Sequence, residues 1–96
     1  MKKITKTTAL YKILRFGRAQ QHNLIAEGKH HEAYQIEHAR NQMLYALMDS
    51  IKAVRELLPK MTEYTIDANG IWHYDAARFV SDESTRILIN EFAAEF

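Results

Sequence analysis

Apolar positions recur at helical spacing through residues 8–58 and then give way to an alternating rhythm. The longest run without glycine or proline contains EAYQIEHARNQMLYALMDSIKAVRELL, residues 32–58. Advancing 100° per residue, Ile36, Met43, Leu47, Val54 and Leu58 fall within about 40° of one another. Ala33, Leu44 and Ile51 widen this arc on one side, Ala39 and Leu57 on the other. The pattern predicts one helix over about 30–58, apolar around much of its girth. Pro59 is expected to stop it, because the residue before a proline avoids the α region.

An earlier helix is expected over about 8–27, with Thr7 or Thr8 as its N-cap. Leu10, Ile13, Leu14, Gly17, Leu24 and Ile25 share one arc, which Gln21 interrupts. Gly17 inside that arc either lets another helix approach closely or marks a bend. Gly28 suits the residue after a helix end. Only Lys29–His31 would then connect the two helices, so they should pair antiparallel. The string AEGKHHEAY resembles the inter-helix turn of tetratricopeptide-type hairpins, but no repeat of about 34 residues accompanies it.

Beyond Pro59, TEYTID (62–67) and IWHYD (71–75) are rich in β-branched and aromatic residues around Ala68-Asn69-Gly70. This reads as a β-hairpin. A three-residue loop with Gly70 left-handed sets Ile66 opposite Trp72 and Tyr64 opposite Tyr74, all on one face. That face should pack on the helices, since two strands alone are marginal. AARFV (76–80) favours no element. Ser81 is expected to cap a last helix over 82–94, with Leu88, Ile89 and Phe92 inward, Phe96 nearby and Ile87 off the arc. The expected fold is α+β and mostly helical: an antiparallel helical hairpin (8–27, 30–58), a β-hairpin (62–67, 71–75) and a C-terminal helix (82–94). It forms a single compact domain, 1–96, with a basic lead, 1–7, that frays.

Charge changes this picture by its placement. The net value is only +1. Residues 1–31 set seven cations against Glu27 alone, 32–58 three against four acids, and 59–96 three against seven. A basic first third and an acidic last third can attract each other within the fold or across a homo-oligomer, or present a basic face to nucleic acid. There is no cysteine, which excludes disulfides and thiolate metal sites and suits a reducing compartment. Lys12 and Arg15 interrupt the first apolar run, so no signal peptide is expected, and no run approaches the ~20 residues of a membrane span. The expected location is the cytoplasm.

Chemical motifs are sparse. Glu27 and His30 have E-x-x-H spacing, but Gly28 lies between them at an expected helix end and no second ligand pair follows. No metal site, cofactor or catalytic residue is expected. No nucleophile elbow or phosphate-cradling loop occurs. Two sets of binding candidates remain. Tyr34, His38, Asn41 and Tyr45 form a stripe opposite the central apolar arc, suited either to a partner protein or to a second buried contact with the C-terminal third. Arg40 sits within the apolar arc. Its guanidinium stays charged, so it must snorkel to the rim, find a carbonyl or carboxylate, or meet an anionic partner. On the first helix, Tyr11, Lys12, Arg15, Arg18 and His22 could meet phosphates and a base. Tyr11, Phe16, Tyr34, Tyr45 and Phe79 have no evident core position, and surplus rings of this kind anchor interfaces. The expected function is a small non-enzymatic interaction protein of regulator or inhibitor type, of the kind phages and plasmids carry as accessories, that binds another protein. The alternative is a nucleic-acid binder acting through the basic first helix.

Overall fold

The computed structural model describes residues 3–63, 65–73, 79–80 and 82–96. Among them the helices are α1 (Lys6–Arg15), α2 (Arg18–Ala26), α3 (His30–Asp49), α4 (Ile51–Thr62) and α5 (Glu83–Glu95). The fold is all-α, not the expected α+β. Each expected long helix is a pair of shorter ones.

The first break is at Phe16–Gly17. Thr5, rather than Thr7 or Thr8, caps α1, its Oγ1 accepting the Thr8 N–H at 3.1 Å. Phe16 leaves the helical region with ψ +119°, and Gly17 takes φ +65°. Ile36 of α3 packs directly against Gly17, so a Cβ there would collide with its Cγ2. The bend and the close approach are therefore one feature. α2 ends in a Schellman motif, with Gly28 N–H bonded to Ile25 O (3.0 Å) and Lys29 N–H to Leu24 O (2.8 Å). Gly28 takes the left-handed φ of +77° that this motif requires.

α1 and α2 then lie antiparallel to α3. Lys6 reaches the Met48 carbonyl, and the Phe16 carbonyl meets Arg40. Arg40 is only 4% exposed. Its Nε and Nη2 donate to Phe16 O at 3.2 and 2.8 Å, and Nη2 also donates to Gln21 Oε1 at 2.7 Å. One guanidinium thus satisfies the carbonyl freed where α1 ends and ties down α2, which buries no residue of its own. Burial first, then the like charge of Arg18, lowers the Arg40 pKa, while Glu37 raises it. The group stays protonated, since arginine starts far above neutrality.

The second break divides the expected 30–58 helix at Ser50, which is fully extended (φ −172°, ψ +165°). Its N–H closes α3 on Ala46 O, and its Oγ opens α4 by accepting the Ala53 N–H at 3.0 Å. The apolar arc survives the break: Ile36, Met43, Leu47, Val54 and Leu58 are all buried in one core with Ile13, Phe16, Met61, Val80, Ile89 and Phe96. Pro59 does not stop α4, which runs on to Thr62. Burial of Leu58 and Met61 holds the last turn in place, and Val80 N–H bonds to Met61 O at 2.8 Å.

The continuation of α4 removes Thr62 from the expected 62–67 strand. What pairs is Thr65–Ile66 with Trp72–His73, Ile66 opposite Trp72 and Thr65 opposite His73. Two residues a side do not make a sheet or a layer of the fold. Ile66 is 53% exposed, so the expected burial that would drive a longer hairpin is missing. The turn itself is ordered by Asp67, whose carboxylate accepts the Asn69 and Ile71 N–H groups (2.9 and 3.0 Å) and contacts His73 Nε2 at 2.7 Å. The bond to His73, then that to Ile71, holds the Asp67 carboxyl below the usual carboxylate range. Gly70 supplies the left-handed φ of +78°. The expected Tyr64–Tyr74 pair, the rest of the second strand, residues 76–78 and the Ser81 cap lie outside the described residues.

Asp82 caps α5, accepting Thr85 N–H at 3.0 Å and Thr85 Oγ1–H at 2.8 Å. Ile89 faces the core, flanked by Leu88 and Phe92, while Ile87 is exposed. Phe16 is a core residue, not a surplus ring. It meets Phe92 edge-on at 5.5 Å, and Phe92 stacks on Phe96 at 5.1 Å.

Candidate interaction surface

Packing α1 against only one flank of α3 leaves an exposed strip along both helices. On α3 the arc opposite the core carries Tyr34, Asn41, Tyr45 and Met48, at i, i+7, i+11 and i+14. Tyr34 is 57% exposed, Tyr45 67% and Met48 74%. His38 is half-buried and stacks on Tyr34, ring centres 6.2 Å apart. Tyr34, Asn41 and Tyr45 are exposed rather than covered by the described residues of the C-terminal third, so of the two expected roles the buried contact is set aside. Leu10, Tyr11 and Leu14 of α1 are exposed beside it. Lys6, Thr7, Leu10, Leu44, Leu47 and Met48 line an open trough of about 500 Å³ between the two helices.

One cation lines the trough: Lys6, whose Nζ donates to Met48 O at 3.4 Å. Arg18 Nε, beyond the Gly17 bend, donates to Leu14 O at 2.9 Å.

Arg40 is engaged beneath this surface in the helix clamp, and its partners are neutral oxygens, not a ligand. The basic set is divided. Gly17 places Arg18 and His22 on α2, apart from Tyr11, Lys12 and Arg15 on α1, although Arg18 Nε reaches back to Leu14 O. Lys12 and Arg15 line a hollow of about 320 Å³ with Glu91 and Glu95 of α5, so acids face them within the fold. The single basic arc expected on one continuous helix is not formed. A third hollow, of about 280 Å³ between α3 and α4, is lined by Tyr45, Asp49, Glu56 and Lys60 among others.

Sequence reasoning picked out Tyr34, His38, Asn41 and Tyr45 but missed Leu10, Leu14 and Met48. The first two belonged to the predicted core arc of an unbroken helix. Met48 gave a usable signal, since it sits about 140° from Met43 on the wheel. Among the described residues, no group of three or more His, Asp or Glu could hold a metal ion, and no helix is long and apolar enough to cross a membrane. In comparisons with known proteins, no family model, no curated protein and no solved structure matches this chain.

Proposed function

We propose that this is a small non-enzymatic protein that works by binding another protein through the α1–α3 strip. The observation that carries the reading is the exposure of Tyr34, Tyr45 and Met48 on α3 and of Leu10, Tyr11 and Leu14 on α1, with Leu10 and Met48 lining the trough between the two helices. Rings and methionine are favoured as interface anchors, and an apolar strip on a small domain marks a binding surface. Both helices are fixed from below by the buried core, so the strip is presented without an ordering cost. The absence of cysteine from all 96 residues supports a reducing compartment, and the cytoplasm is its proposed location.

The test is site-specific photocrosslinking in native-host lysate, with a photoreactive residue at position 45 or, on α5, at exposed position 90. Position 45 should capture a distinct protein that position 90 does not. Replacing Tyr34, Tyr45 and Met48 together by serine should abolish capture while the circular dichroism spectrum stays unchanged. Identical capture from both positions, or none from position 45, overturns the reading.

A further inference from the structure

We propose that α2 is a strap that detaches and unwinds as one unit between Gly17 and Gly28, uncovering the cleft it closes against α5. The device is independent of the α1–α3 strip and of what binds there. Each of the other four helices buries at least two residues, whereas α2 buries none. Of its nine residues only Gln21 and Leu24 are even half-buried. Low burial of this kind marks the part of a fold that opens first. An isolated helix shorter than about 12–15 residues is marginal in water, so α2 without its packing unwinds rather than swinging out whole. Gly17 and Gly28 bound it with φ +65° and +77°. Glycine leaves the left-handed region at little cost, so both ends of the segment can turn. The Schellman bonds run from Gly28 and Lys29 back to Ile25 and Leu24, so releasing Leu24 undoes the whole last turn.

Detachment leaves the buried charge satisfied. Both bonds from Arg40 to Phe16 O lie on the α1 side of Gly17 and persist, so the guanidinium keeps an oxygen. Only the 2.7 Å bond from Nη2 to Gln21 Oε1 is given up, and the Gln21 amide is then hydrated. Leu24 is the one residue of α2 packed against the hydrophobic core. With Ile36 of α3 and Ile87 and Leu88 of α5 it lines a hollow of about 370 Å³. Removing α2 takes away one wall of that hollow and exposes Ile36, which is 1% exposed while the strap is closed.

The experiment is native-state hydrogen exchange of the full chain, followed by NMR at low denaturant concentrations. The amides of residues 21–29 should share one opening equilibrium, at least about tenfold more populated than the one that exposes α3 and α4. Its denaturant dependence should be measurable but smaller than that of global unfolding, because only part of the surface is exposed. Val54→Ala truncates the core from α4, which stays folded when the strap is open. It should therefore speed exchange in α3 and α4 and leave α2 unchanged. Limited trypsin digestion gives a second readout on the unaltered protein: cleavage after Arg18 in α2 should precede cleavage after Lys52 or Lys60 in α4, all three being exposed. Exchange of α2 in step with α3 and α4 overturns the strap. So do rates that are graded along α2 without denaturant dependence, since they report fraying and not a unit. Equal acceleration of α2 and α4 by Val54→Ala, or first cleavage at Lys52 or Lys60, has the same consequence.

Discussion

The two breaks in the helical hairpin do similar geometric work by different means. At Ser50 the interruption is local. One residue turns extended, its N–H closes α3, and its hydroxyl caps α4 three residues on. At Gly17 the interruption depends on a remote helix. Ile36 leaves no room for a side chain, and Arg40, 24 residues from Phe16, supplies the donors for the carbonyl that α1 leaves free. A local break survives changes elsewhere in the protein, whereas a clamped break fails with its clamp. The clamped one also fixes where α1 ends and α2 begins.

The largest effect is expected for Gly17→Ala. The left-handed φ costs about 1–2 kcal/mol for a residue with a Cβ, and crowding against Ile36 adds about 1–3 kcal/mol. Denaturant unfolding should show a loss of about 2–5 kcal/mol, and an unchanged midpoint would mean that the bend relaxes freely. Arg40→Met comes next. It leaves the Phe16 carbonyl and the Gln21 amide without their donor, a cost of about 1–3 kcal/mol. Because α2 has no buried residue of its own, hydrogen exchange should quicken in α2 before it does in α4. Uniform loss of protection would refute a clamp specific to the first break. Ser50→Ala should cost least, about 1 kcal/mol for a lost N-cap. Combined with Arg40→Met, it should be additive within about 0.5 kcal/mol, whereas Gly17→Ala with Arg40→Met should not. Strong coupling between Ser50 and Arg40 would erase the distinction between a local and a clamped break.

The difference also accounts for how far each break was legible in the chain. Ser50 follows Asp49, two residue types that draw the backbone out of a helix and cap the next one. The signal was present, but the unbroken apolar arc from Ile36 to Leu58 hid it. Gly17 was legible as a bend or a close approach, but not as both. Arg40 was legible as a charge needing an oxygen, and only the fold shows that the oxygen is the carbonyl at the bend. The β-hairpin was overread for a related reason. β-branched and aromatic composition describes a half-buried pleated surface, and here Ile66 is exposed while Met61 draws the preceding turn into a helix.

Periodicity by itself determined which residues of 32–58 enter the core, because the need to remove Ile36, Met43, Leu47, Val54 and Leu58 from water does not depend on whether the helix carrying them is whole. Turn chemistry determined the left-handed glycines at 28 and 70, since each is a local backbone requirement. Only the tertiary structure decided how the first break at Gly17 is held, that Pro59 is passed over, and which flank of α3 remains open. Each of those turns on packing between residues far apart in the chain, and spacing along a single helix does not report which neighbour arrives to cover it.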